Sequence, residues 1–135
     1  MSYEAISRGL QTRLATVEQI AAVLDYEPSA IQDAPLIYSL LDGFECRSET
    51  NTSRITWRTQ HRLLIRWQDA EACEAELRSL VGLIRQAVAA DRTLGGTAAD
   101  AEMVFGDAGW LNVGGTEYRS MDFSSEVIEY EATGE

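Results

Sequence analysis

Between Arg54 and Trp67 the sequence alternates. Ile55, Trp57, Thr59, His61, Leu63, Ile65 and Trp67 fall on one parity, and Arg54, Arg58, Arg62 and Arg66 punctuate the other. Successive side chains of a β-strand point to opposite faces, so this pattern describes one long strand with an apolar face and an arginine-bearing face. A helix cannot satisfy it, because its period of about 3.6 residues would scatter both sets around the axis.

The remaining elements are read around that strand. Leu36–Leu41 (LIYSLL) is a continuous apolar strand, extended through Gly43 and Phe44 to Glu45–Arg47. The polar stretch Ser48–Ser53 between the two strands predicts a long hairpin tip. Upstream, Ile6, Leu10 and Leu14 form one stripe of an amphipathic helix over Tyr3–Leu14, with Ser2 as its N-cap. Gln19–Leu24 reads as a strand or a buried connector, and Asp25–Asp33, with Pro28, as an irregular loop. Downstream, Asp69 caps a second helix whose apolar face is Cys73, Leu77, Leu80, Val81, Ile84, Ala87 and Val88. Glu71, Glu74 and Glu76 crowd its first turns and Arg78 and Arg85 come later, an order that complements the helix dipole. Gly95-Gly96 ends that segment.

The last third offers three short strand candidates: Ala101–Phe105, Trp110–Val113 running through Gly114-Gly115 into Glu117–Arg119, and Met121–Glu131. Gly106-Asp107 and Gly114-Gly115 are assigned to the turns. The expected fold is α+β: a single domain over residues 1–135, with a mixed or antiparallel sheet of about four to five strands. Two main helices would pack on one face, and a long β-hairpin would protrude.

Composition limits the function. The net charge is -11, with acid gathered toward Glu126, Glu129, Glu131 and Glu135, so tight binding to nucleic acid is not expected. A surface that lets DNA slide past without sticking should itself be acidic. No apolar run approaches the roughly 18–20 residues that span a bilayer, and Met1 to Leu14 carries charge inside every candidate signal window. Cys46 and Cys73 lie in different elements and read as reduced packing residues, in keeping with synthesis in a cytoplasm.

A search for chemistry finds little. His61 is the only histidine, and its face neighbours Trp57 and Ile65 make it a packed core residue unless a carboxylate and a nucleophile lie close in space. No GxSxG, HExxH or paired CxxC occurs, and neither Gly-Gly pair fits a phosphate loop. Asp100, Glu102 and Asp107 lack the spacing of a calcium loop. The expectation is a protein without catalytic, metal or cofactor site.

The arginine row is the most specific feature. Arg54, Arg58, Arg62 and Arg66 project from one sheet face. Their stems could simply cover a solvated face, but their mutual repulsion calls for carboxylates opposite. Asp122 and Glu126 share one face of the final strand and are candidates within the chain; glutamates of a neighbouring subunit are the others. At an interface the planar guanidinium fork binds carboxylates bidentately. Glu49, Thr50, Asn51 and Thr52 at the hairpin tip are either a mobile loop or an arm that reaches another subunit.

This order of elements resembles the tail terminator (tail-completion) family of long-tailed, non-contractile bacteriophages. The correspondence runs through Tyr3–Leu14, Leu36–Trp67, Asp69–Ala90 and Ala101–Glu131. Asp91-Arg92-Thr93-Leu94-Gly95-Gly96 is similar to the family's helix-exit stretch, as is Gly114-Gly115-Thr116-Glu117-Tyr118-Arg119 to the segment before its last strand, here Val127–Glu131. The resemblance implies a homohexameric ring at the head-proximal end of a tail tube, located in the virion. It would stop tail polymerisation and join the tail to the neck and head. Its partners would be itself, the major tail protein and neck or head-completion proteins, with DNA passing through the lumen unbound and no membrane involved. Because ring contacts are heterologous, the arginine row would meet Glu71, Glu74 and Glu76, or the last strand, of the next copy. Competing readings are another head–tail connector or head-closure protein, and an α+β ligand-binding or enzymatic domain.

Overall fold

The computed structural model describes residues 3–132. Ser2 and Glu135 lie outside them. The chain runs α1 (Tyr3–Ala15), β1 (Ala22–Leu24), β2 (Leu36–Glu49), β3 (Thr52–Arg66), α2 (Ala70–Ala90), β4 (Asp100–Val113) and β5 (Thr116–Ala132). The architecture is α+β, with two helices on a mixed five-stranded sheet ordered β1-β2-β3-β5-β4. Only the β1–β2 pair is parallel.

The central strand is the alternating one. Its odd positions face the helices. Leu63, Ile65, Ile37 and Phe123 from the sheet meet Leu77, Leu80, Ile84 and Val88 of α2 and Leu14 of α1 in the main core. Ile6 and Leu10 of α1 pack with Val127, Ala101 and Leu94 in a second cluster. The Asp69 carboxylate accepts from Ala72 N at 2.8 Å and starts α2, satisfying one of the orphan donors of its first turn. Arg13 Nε donates to Ala87 O at 2.9 Å and ties the two helices together.

The other face is apolar at one end, which the arginines obscure in the sequence. Leu64 interrupts the even parity, and it is buried with Leu36, Tyr38 and Tyr118. Ile31 and Ala34, from the loop between β1 and β2, lie over them. That irregular loop therefore forms a partial third layer. Each aliphatic side chain buried there contributes roughly 1.5–3 kcal/mol.

Several expectations are corrected. The hairpin tip is not long: Glu49 pairs with Thr52, leaving Thr50-Asn51 as a two-residue turn, with Asn51 at φ 65°, a conformation asparagine tolerates. The three strand candidates of the last third are two long strands joined at Gly114-Gly115. Both glycines have positive φ, as a tight primed hairpin turn requires. Gly106-Asp107 is no turn but lies inside β4. A Cβ on Gly106 would stand 3.7 Å from Met121 Sδ and Phe123 Cβ, an ordinary contact, so neither a turn nor crowding requires glycine there. α2 ends at Ala90, before Gly95-Gly96; the Asp91 carboxylate accepts from Thr93 N and Gly95 N and folds the exit stretch. β3 stops at Arg66, so Trp67 leaves the strand and is exposed. Cys73 is buried, but Cys46 is exposed on β2, so only one cysteine packs.

Candidate functional site: the arginine face and the ends of the sheet

β3 and β5 set the arginine row against a matching period on β5. Arg66 faces Tyr118, Arg62 faces Asp122, Arg58 faces Glu126 and Arg54 faces Tyr130. The row is not uniform. Arg62 is consumed within the chain: its Nε and Nη2 donate to the two Asp122 oxygens at 2.6 and 3.0 Å, and Nη1 to Tyr38 Oη at 3.3 Å. The Asp122 carboxylate raises the affinity of this guanidinium for its proton, and the phenolic proton of Tyr38 is held more tightly because of burial. Arg66 is exposed beside the third layer.

Arg54 and Arg58 instead join Arg47 of β2. With Glu45, Thr56 and Glu126 they line an open polar recess of about 280 Å³. It lies where β2, β3 and β5 run together toward the Thr50-Asn51 turn, a three-stranded stretch, not a free hairpin, that is called the arm below. Arg47 lies directly across from Arg54, a like-charge pairing that costs stability. Arg47 contacts Glu45 at 3.3 Å, in an exposed pair. Arg54 Nε is buried without an acceptor among the described residues. Room for Arg58 is left by Gly43, where a Cβ would stand 3.0 Å from Nη2. Gly43 follows a β-bulge that bends β2 after Leu41. Glu49, Thr50, Asn51 and Thr52 close the arm beyond this recess.

On the opposite face of the arm, Phe44 packs on Trp57, which packs on Tyr3 of α1 (centroids 5.3 and 5.2 Å). Phe44 remains 60% exposed because the helical layer ends there. Trp57 Nε1 donates to the buried Glu129 at 2.9 Å.

The far end of the sheet is acidic and aromatic. Trp67 and Trp110 touch at 5.2 Å, with Arg119 over the Trp110 ring at 4.8 Å. Arg119 Nε and Nη2 both donate to one Glu74 oxygen, at 3.0 and 2.8 Å. Glu74 is therefore committed within the chain, and Glu76 accepts from Gln68 Nε2 at 3.2 Å. Glu71 stays exposed on the first turn of α2.

His61 is sealed in the core. Ser39 Oγ lies 2.7 Å from Nδ1, Ser125 Oγ 2.8 Å from Nε2, and the ring stacks on Phe123 at 4.7 Å. A neutral imidazole has one donor and one acceptor, so one serine donates to it and the other accepts. Burial pushes its pKa down to about 3. The serine–histidine contact has no orienting carboxylate and no route for substrate, as Ser39, His61 and Ser125 are all buried.

Two further recesses, of about 350 and 220 Å³, adjoin α2 and β4 and share Arg85 and Met103. Arg92, which lines the first of them, is held by Asp100 at 2.7 and 2.8 Å. Among the described residues no cluster of three or more histidine, cysteine or acidic side chains could hold a metal, and no helix is long and apolar enough to cross a membrane.

The sequence-derived candidates thus separate. Arg54, Arg58 and Glu126 share the arm recess; Arg62 and Asp122 pair; Glu71, Glu74 and Glu76 sit at the other end. Arg47 and the Trp67–Trp110 pair were missed. Arg47 lies on a strand whose register shifts at a bulge, and the tryptophans meet only through the fold. Neither a scan against protein-family models nor a search of curated proteins returns a match.

Proposed function

We propose that the chain is a structural, non-catalytic assembly protein whose copies join head to tail into a ring, acting as a tail terminator at the head-proximal end of a phage tail tube. The observation that carries this reading is the arm. Past the Tyr3–Trp57 contact, β2 and β3 continue to the tip with β2 exposed on both faces, bearing Phe44 on one side and the arginine recess on the other. Arginine and aromatic residues are the types enriched in protein contacts.

Supporting this, the one histidine–serine cluster is buried and the arm-distal end offers complementary acid. The recess at Arg54 and Arg58 and the end beside Trp67 are separated by most of β3, roughly 30–40 Å at about 3.3 Å per residue. Contacts joining such distant patches are heterologous, and they close into a ring when the rotation permits. The net charge of -11 suits a lumen that DNA traverses without adhering. The chain would then reside in the virion, contacting the major tail protein on one side and neck or head-completion proteins on the other.

Negative-stain imaging of the protein alone and mixed with purified tail tubes tests this. Rings seated on tube ends are expected. Tubes with bare ends, combined with capture by a portal or head-completion protein, would shift the assignment to a head-closure role.

A further inference from the structure

We infer that the arm recess formed by Arg47, Arg54 and Arg58 is a carboxylate receptor for a second copy of this chain, and that its donor is the Glu71–Glu117 surface beside Trp67 and Trp110. The inference deepens the ring reading and rests on it. Three guanidinium groups face only the carboxylates of Glu45 and Glu126 in the recess. Arg54 Nε is buried with no acceptor among the described residues, and Arg47 is its cross-strand neighbour on β2. A folded chain retains such repulsion at a cost, which an incoming carboxylate removes by accepting bidentately.

The chemistry selects a protein carboxylate over a phosphate backbone. Glu45 and Glu126 sit inside the recess, and the chain is strongly acidic as a whole. Both features repel a polyanion, while three guanidinium groups against two carboxylates leave one positive charge for a single incoming carboxylate.

Several exposed acids are uncommitted, Glu18, Asp42 and Asp107 among them, and the tryptophan pair is what selects the donor. Asp122 is taken by Arg62, Glu74 by Arg119, and Asp100 and Glu102 by Arg92. Glu71 and Glu117 are exposed and flank the tryptophan pair, Trp67 N itself donating to Glu117 O at 3.1 Å. Apolar area is present on both sides: Trp110 is 56% exposed at the donor end, and Tyr130, across from Arg54, is 54% exposed at the receptor. The Trp67–Trp110 pair would seat against Tyr130 while a carboxylate enters the recess.

Size-exclusion light scattering of the full chain at rising concentration tests the contact. Arg54→Glu and Glu71→Arg are each expected to weaken assembly at least ~100-fold, and the two together in one chain to restore it. Arg54→Gln, with unchanged far-ultraviolet dichroism, should weaken assembly without altering the fold. All eleven cationic side chains are arginine, with no lysine, so amine-reactive cross-linkers are of little use. In a Cys46→Ser background, Thr56→Cys with Ala70→Cys should give an oxidation ladder that climbs beyond the dimer. Wild-type rings with Arg54→Glu rings equally stable, or single variants that dissociate but are not rescued together, overturn the receptor assignment and leave the ring reading standing. A wild-type chain that stays monomeric at every concentration overturns both. Rings that survive Arg54→Glu while losing weak binding to duplex DNA would make the recess a phosphate site instead.

Discussion

The single histidine permits an unusually clean measurement of what its burial does to stability. Unfolded, His61 takes up a proton near pH 6.5; folded, enclosed by Ser39, Ser125 and Phe123, it does so only near pH 3. Between these values the unfolded chain binds a proton that the folded chain refuses. Stability therefore falls as pH falls through 6.5, and is fully present above it. The slope is about 1.4 kcal/mol per pH unit, which amounts to a loss of about 2 kcal/mol between pH 7 and 5. His61→Gln removes the titration while keeping groups able to bond both serines. It should be less stable than wild type at pH 7, and the gap should narrow by about 2 kcal/mol at pH 5. Urea unfolding followed by tryptophan fluorescence, at a fixed concentration below assembly, measures both. Relief of acidic self-repulsion acts on both proteins alike and cancels in the difference. An unchanged gap between the two proteins at pH 5 and 7 would refute the account of a neutral, dry imidazole.

Three further outcomes are expected from the packing. Gly9→Ala should destabilise by about 1–3 kcal/mol despite alanine's better helix propensity, because its Cβ would meet Leu94 Cβ at 2.8 Å; thermal unfolding reads this, and a stabilised variant would contradict it. Asp69→Ala should cost about 1 kcal/mol by removing the cap on Ala72 N, measured by denaturant midpoint. A double-mutant cycle on Arg62→Ala and Asp122→Ala should give a coupling of about 1 kcal/mol, modest because both side chains keep a third of their exposure; additivity within error would show the bidentate pair to be inert.

The parts of this fold legible in the sequence are those with a strong period. The β3 alternation, the α1 stripe and the Asp69-capped start of α2 each have one face dictated by burial, and the structure places them within a residue or two. The final pair of strands was cut too short because Gly106 resembles a turn residue when its neighbours Met121 and Phe123 are invisible. Likewise the Thr50-Asn51 turn was obscured by flanking polar residues that in fact pair as strand. Leu64 shows the limit of a face-by-face reading: it breaks the arginine parity because a distant loop covers it. For the candidate site, the spacing puts Asp122 and Glu126 on one face as possible partners of the arginine row; which arginine each meets comes only from the β3–β5 register. The commitment of Glu74 to Arg119 was not readable either, since it depends on how α2 crosses β5.

The partial third layer over Leu36, Tyr38, Leu64 and Tyr118 also divides the sheet in local stability. Strands covered on both faces open only with the whole domain, whereas strands with few buried neighbours open locally. Amide hydrogens of Ile37, Leu63 and Leu64 should therefore exchange on the global timescale, and those of Phe44 to Glu49 much sooner. The sheet is anchored at one end and compliant at the other, so in the proposed ring the arm would settle onto its neighbour without the core registering the change.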